Sequence, residues 1–329
     1  YVTLRDKSSV NYWFFMNFES PNTEFNTFVQ NENFRLALYH ALDRVTIAQL
    51  YNPYDTEEML TNVICPEDVC YDENGVDYTD YAPLKEIKER GAGTYDPALA
   101  KEYFDKALAE VTDGNGNING AQAGEVKMGR TFSFQTDGKL PLQLVYIHGS
   151  SSDEVSMAQI IKMNLEEVFG SENVEIVLSQ FTGDKYNDVI APGNFDLGYD
   201  NYSFKYADPL SQLGRLVTDG AVNDGRYSLP EFDDLVAQGS EKLVVSERYA
   251  LFAQAEALLI NGGYIIPWES GGGTYGMTRE VPFTAPRGGF GLSRFKYKGM
   301  QLSEEPISAE QYDQLEQEFY AELNRKNAG

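Results

Sequence analysis

The sequence predicts an α/β fold in which parallel strands are joined by helical crossovers. Three observations predict it. Between residues 140 and 201, apolar runs of strand length alternate with segments of helical periodicity. Residues 12–18, Tyr-Trp-Phe-Phe-Met-Asn-Phe, form a continuous apolar run that reads as a strand buried on both faces. Apolar residues make up 42% and aromatic residues 13% of the 329 positions, ample for one large core.

After the first strand a polar loop with Pro21 and Asn22 is expected. A helix follows from about Glu32, with Phe34, Leu38, Ala41, Leu42 and Val45 in one apolar stripe. Asp43 caps a second helical run through Ile47 and Leu50. Residues 52–94, rich in Pro, Asp, Tyr and Gly, read as a long loop with short pieces of order. Asp96 and Pro97 give a helix its N-cap and first-turn proline, with Leu99, Tyr103, Ala107 and Val111 expected inside. Residues 113–120 look like a calcium loop, but Ile118 stands where the turn needs glycine and Gly124 where the bidentate Glu belongs. A Gly/Asn-rich turn is the reading.

The regular alternation comes next. Residues 140–147, 174–181 and 195–201 read as strands. Residues 155–169 read as a helix with Met157, Ile160, Ile161, Leu165 and Val168 inside, stopped by Gly170. Residues 184–190 make a short helix closed by Pro192 and Gly193. Residues 208–260 are mainly helical, with starts at Pro230 and Ser246 and a last apolar face of Tyr249, Phe252, Ala253, Ala257 and Ile260. Residues 264–268 read as a strand in which Pro267 marks an edge or an end. Gly271, Gly272 and Gly273 should break the chain. Residues 308–323 form an amphipathic helix opened by a capping box of Ser308 and Gln311, with Tyr312, Leu315, Phe319 and Leu323 toward its packing partner.

Charge and residue usage narrow the chemistry. Against 26 basic residues stand 51 acidic ones, a net charge of −25, which repels phosphate backbones and anionic lipid headgroups. Nucleic-acid binding is excluded on that ground. No apolar run is long enough to span a membrane. Cys65 and Cys70 flank an acidic stretch. In an exported chain they are candidates for a local disulfide, with two free thiols as the alternative. Zinc and other metal sites are not expected, since the only histidines are His40 and His148. Nucleophilic catalysis needs a base beside the nucleophile, and no Gly-x-Ser-x-Gly, Walker or His-Glu-x-x-His pattern occurs, so the chain is not read as an enzyme. No cofactor is expected. His148 ends a strand and precedes Gly149, Ser150 and Ser151, a place where open α/β sheets border ligand crevices.

Residues 195–213 are the most informative. A strand runs out into an aromatic, polar loop, and Asp208-Pro209 then starts a helix. Aromatic faces beside exposed backbone amides suit an extended peptide. This segment resembles the signature of the family-5 extracellular solute-binding proteins, which deliver oligopeptides to ABC transporters. Three other segments carry the same resemblance. Residues 33–44, with Arg35, Ala37, Leu38, Ala41, Asp43 and Arg44, are similar to the family's Val-Arg-x-Ala-Leu, Ala-x-Asp-Arg helix. Tyr95, Asp96, Pro97, Ala100 and Lys101 match its Tyr-Asp-Pro-x-x-Ala-Lys helix start, and Ile265-Ile266-Pro267 resembles its return strand. Each match is weak alone; their order and separation, from Phe14 to about Trp268, make them specific together.

The resemblance implies a periplasmic-binding-protein type II-like lobe with a β-α-β core, plus a C-terminal segment belonging to the other lobe. Residues 1–267 would be the second lobe and residues 268–329 the returning segment and terminal helix of the first. The start at Tyr1 is neither a Met nor a signal peptide, so the chain looks cut from a longer precursor, with a lipoprotein signal and anchoring Cys in the missing part. The implied function is capture of a peptide between two lobes and delivery to a membrane permease, with hinge closure as the mechanism. A sugar, nickel chelate or other solute is the alternative ligand, since fold does not fix ligand, and an α/β hydrolase is the more distant alternative, against which the missing nucleophile-base pair stands. Implied partners are the peptide and an ABC-transporter permease. The protein would be a monomer at the cell surface or in the periplasm, touching membrane only through its lipid anchor. The expected cleft residues are Tyr199, Asp200, Asn201, Tyr202, Ser203, Phe204, Lys205 and Tyr206, with His148, Gly149, Ser150, Ser151 and Asn17.

Peptide binders of this family hold the ligand's α-amine with an acid just before the Pro-started helix. At or near that position this sequence has Lys205. Lys205 either faces solvent or pairs with Asp208, or Asp200 takes the amine instead, or the specificity has moved toward N-blocked or carboxylate-anchored ligands.

Overall fold

The apolar run near the start of the chain becomes the central strand of a mixed sheet. The computed structural model describes residues 2–4, 7–54, 56–91, 94–129, 132–272, 275–285 and 297–327. Strand β1 (Val2–Leu4) leads into β2 (Lys7–Met16). Trp13, Phe14, Phe15 and Met16 are all buried, as a run with no polar face requires.

Three helices follow: α1 (Thr23–Gln30), α2 (Glu32–Ala41) and α3 (Arg44–Gln49). The first corrects the sequence reading, which has a loop here. Asn22 caps it, and Phe25, Phe28 and Val29 turn one apolar face inward. Asp43 caps α3 as expected, accepting from the Thr46 amide. Residues 52–94 hold two short 3₁₀ turns and α4 (Leu84–Glu89). Asp96 caps α5 (Pro97–Val111), which buries Ala100, Phe104, Ala107 and Val111. The buried stripe is thus rotated from the expected one, and Leu99 and Tyr103 are only half-buried.

The hairpin β3 (Gly124–Met128) and β4 (Phe132–Thr136) has no counterpart in the sequence reading. Its Val126 and Met128 cover Val145 on the neighbouring sheet. The alternation then runs β5 (Leu142–His148), α6 (Ser152–Phe169), β6 (Val174–Gln180), a π turn at Lys185–Ile190 and β7 (Leu197–Ser203). Gly170 ends α6 at φ 83°, a conformation that costs glycine nothing. Helices α7 (Leu210–Leu216), α8 (Pro230–Ser240) and α9 (Val245–Asn261) lead to β8 (Ile265–Gly272) and β9 (Tyr275–Met277). Gly271 and Gly272 do not break the chain but continue β8; Gly273 lies outside the described residues. The last element is α10 (Ala309–Asn327), with the Ser308–Gln311 capping box formed in both directions. Phe283 packs on its Tyr312 and Phe319, while Leu323 is exposed.

The main sheet has the order β6-β5-β7-β2-β8. Strand β5 is parallel to β6 and β7, as the crossovers predict, whereas β2 is antiparallel to both β7 and β8. Pro267 lies on β8, an edge strand, which tolerates a missing donor. The β1–β9 pair is a separate antiparallel ribbon through which the chain enters and leaves this sheet.

Buried charges tie the segments together. Arg35 donates to the carbonyls of Gly262, Val29 and Gln30 and lies 4.3 Å over the Tyr264 ring. The buried Arg44 guanidinium donates to the Pro267 carbonyl and to Asn62. These contacts give a physical reason for both arginines of the family-like helix. Glu256 accepts from the Ile64 and Cys65 amides at 2.7 and 3.1 Å and from the Tyr78 hydroxyl at 3.0 Å. Cys65 and Cys70 are free and buried, so the expected disulfide is not formed. The Cys65 thiol hydrogen-bonds to Glu256, and these carboxylate bonds order the loop that a disulfide was expected to hold.

An aromatic shelf with a buried acid at the strand ends

Because β2 runs antiparallel to its neighbours, its first half meets the C-terminal ends of β5, β7 and β8. The register between β2 and β8 slips there. Tyr12 pairs with Glu269 and Trp13 with Pro267, so Trp268 is an extra residue on β8. Such a bulge re-aims side chains. The Trp268 ring packs against Tyr12, Phe14, Tyr51 and Tyr199, with centroids 5.9 to 6.4 Å apart. Glu269, the cross-strand partner of Tyr12, reaches the same side of the sheet.

The shelf is acidic. Among the described residues the Glu269 carboxylate has no hydrogen-bond or ion-pair partner, and burial pushes its pKa up to about 7. Burial, then Glu269 and Asp200, raise the Tyr12 phenol. Burial, then Glu269, Asp153 and Glu154, push Tyr51 up to about 12. Glu154 accepts from Ser151 Oγ at 2.7 Å and from the Tyr199 hydroxyl at 3.3 Å. The Tyr146 hydroxyl is buried without a partner, and the charges that act on it are those of Tyr199, Tyr51 and Glu154. Lys185 is committed elsewhere. Its Nζ lies 3.3 Å from Asp200 Oδ2, donates to the Tyr199 carbonyl and sits 4.4 Å over the Tyr199 ring.

The residues expected to line a cleft fall into three groups. Tyr199, Asp200, Asn201, Tyr202 and Ser203 lie half-buried on β7, with alternate side chains on opposite faces. Tyr199 joins the shelf. Tyr202 faces the other way, packs on Trp13 at 5.5 Å and donates to Asp224. Lys205 and Tyr206 are exposed, while Phe204 is buried in the core. Asp208 pairs with Arg248, not with Lys205. His148 is buried, with Nδ1 2.8 Å from the Gly149 carbonyl. Gly149 is pressed against Glu154, where any Cβ would come within 2.3 Å of the carboxylate. Ser150 and Ser151 are exposed, and Ser151 caps α6.

Asn17 does not join them. It lies at the opposite end of the sheet, fully buried, donating to the Gly193 and Phe195 carbonyls. Its amide is used up in fastening β2 to the segment before β7. Tyr12, Tyr51, Glu154, Trp268 and Glu269 were missed by sequence reasoning. One signal was present: Glu269 is a charge placed directly after the apolar strand Ile265-Ile266-Pro267-Trp268.

Among the described residues no helix is long and apolar enough to cross a membrane. Nor do they contain a group of three or more His, Cys, Asp and Glu that could hold a metal ion.

Known proteins resemble this chain along most of its length. The family model of the bacterial extracellular solute-binding proteins, family 5, middle region, matches residues 2–224. The oligopeptide-binding protein SarA of Streptococcus gordonii is 27% identical over 91% of this chain and 47% of its own length. The oligopeptide-binding protein AliB of Streptococcus pneumoniae is 25% identical over 91% of this chain and 48% of its own. The fold is similar to that of an oligopeptide ABC transporter substrate-binding domain from Bacillus anthracis. That match has a TM-score of 0.66 at 14% identity and covers 92% of this chain and 51% of that one. The chain spans about half the length of the curated relatives it matches.

Proposed function

We propose that this chain, which belongs to the bacterial extracellular solute-binding proteins of family 5, captures a peptide on the aromatic shelf and delivers it to an ABC-transporter permease. The observation that carries the reading is the shelf itself. Three rings with exposed surface, Tyr12 of β2, Tyr199 of β7 and Tyr51 after α3, converge over the buried Trp268 of β8 beside a half-buried strand. Rings of this kind hold side chains of any sequence, and a neighbouring strand end offers amides and carbonyls to an extended backbone. The oligopeptide-binding names of the relatives support the same ligand class.

The finer reading is a two-lobed trap. One lobe runs to the end of β8 at Gly272, five residues past the boundary of 267 expected from the sequence, and the chain after it returns to the other. The β1–β9 ribbon is then the crossing between them, and a ligand that touches both lobes favours the closed form. The protein works as a monomer outside the cytoplasmic membrane, held there by a lipid anchor. No catalytic step is involved.

Thermal unfolding with a pool of random hexapeptides tests the reading. Free amino acids, sugars and a nickel chelate serve as the comparison. Peptides should raise Tm, by an amount equivalent to about 2.7 kcal/mol at a hundredfold excess over Kd. Stabilisation by a sugar or chelate, with none from peptides, would overturn it.

A further inference from the structure

We propose that Glu269, framed by Tyr12, Tyr51 and Trp268, is the seat for a positively charged group of the ligand, either an α-amine or a Lys or Arg side chain. The inference rests on the peptide-capture reading and adds a charge preference to it.

The carboxylate is one partner short. It is half-buried, yet among the described residues no donor or cation meets it. A buried acid in that condition is unfavourable, and its raised pKa reports the cost. The cations close in sequence or space are occupied. Lys185 is bound to Asp200 and the Tyr199 carbonyl, and Arg44 to the Pro267 carbonyl and Asn62. No described residue supplies the partner, which leaves the ligand to bring it.

The surroundings favour a cation over a neutral donor. Tyr12 and Tyr51, backed by the buried Trp268, present aromatic rings beside the acid, and ring faces attract ammonium and guanidinium groups. The Asp153 and Glu154 charges act on the same Tyr51 phenol as Glu269, so the local field has one sign. Behind the shelf the Tyr146 hydroxyl is left without a partner, fully buried beside Tyr199, Tyr51 and Glu154. The bulge explains why Glu269 is available at all. In the slipped register Trp268 and Glu269 both serve the Tyr12 side, so one strand end supplies the ring and the charge together.

Glu269→Gln keeps the shape and removes the charge. Hexapeptide pools in three forms would be titrated into wild type and variant by calorimetry. One form has a free amine and no Lys or Arg, one is N-acetylated with Lys and Arg present, and one is N-acetylated with neither. The variant should lose about 10- to 100-fold in affinity for a cationic pool and bind the neutral pool as wild type does. Loss confined to the free-amine pool identifies the α-amine; loss confined to the second pool identifies a side chain. The Glu269 carboxyl carbon, followed by NMR, should move toward its ionised position when a cationic peptide is added. Equal affinities of variant and wild type for all three pools would overturn the proposal and leave peptide capture standing. If no pool binds wild type, both readings fall.

Discussion

Asn22 donates from Nδ2 to Asp196 Oδ2 at 2.9 Å, across 174 positions of sequence. The same carboxylate accepts from Ser20 Oγ and from the Val145 amide, while Asn22 Oδ1 caps α1. One asparagine therefore starts a helix and anchors it to the two parallel strands it lies beside. Asn22→Ala removes the cap and leaves a fully buried acid short of a donor. The expected loss is about 2–4 kcal/mol, the sum of a cap and a charge-assisted bond, measured by urea unfolding. A loss below about 1 kcal/mol would mean that water replaces the side chain.

Stability should fall as pH rises from about 4 to 7. Burial holds Asp196 and Glu269 up to about 7 and Asp224 up to about 6, against ordinary values of 3.8 to 4.5. In the window between those values the folded chain keeps protons that the unfolded chain has lost, so deprotonation favours unfolding. The contribution is fully present below about pH 4 and gone above about 7. Net charge pushes in the same direction, so a variant is needed to separate the two. Glu269→Gln has no native bond to break and should stabilise the protein at pH 8 by about 1–3 kcal/mol while changing little at pH 5. Equal effects at both pH values would show that Glu269 is not the titrating group.

The two cysteines should react only after unfolding. Burial raises both thiols, and the Glu256 charge raises Cys65 further. A disulfide reagent at pH 8 should label neither thiol in the native protein and both in denaturant, and the intact mass should be the same with and without reductant. Glu256→Ala strands two amides and the Tyr78 hydroxyl in the core. It should cost at least about 3 kcal/mol and expose the thiols to labelling before global unfolding.

What the sequence made legible was local. Asp43, Asp96, Ser308 and Gly170 mark helix ends within a few residues of themselves, and each does so in the structure. Helix α1 escaped because Pro21 and Asn22 look like a turn, and its Phe25, Phe28 and Val29 face makes sense only against the rest of the core. The β7 part of the site was visible because its aromatics are contiguous. The rest was not, because Tyr12, Tyr51, Glu154 and Glu269 come from four segments that only the sheet order and one slipped pair bring together. Register is a non-local property, and a bulge leaves no periodicity to read.

Lys205 gives the last prediction, because the structure removes its pairing with Asp208. Asp208 is held by Arg248, so it is not the partner of Lys205. Asp200 lies 3.3 Å from the Lys185 ammonium, which competes with a ligand amine for it. Lys205 itself is exposed, with its backbone amide fixed on Ser211 Oγ at 2.7 Å. Its ammonium makes no ion pair among the described residues. Lys205→Ala should therefore leave stability within about 0.5 kcal/mol of wild type. Binding is where a change should appear. An exposed ammonium just past the end of β7 is suited to a peptide carboxylate, and such pairs are weak and salt-sensitive. Affinity for peptides with a free C-terminus should drop about 2- to 5-fold at low salt, with no change for their C-amidated forms. An equal drop for both forms would mean that Lys205 acts by contact or shape, and no drop for either would mean that it points to solvent.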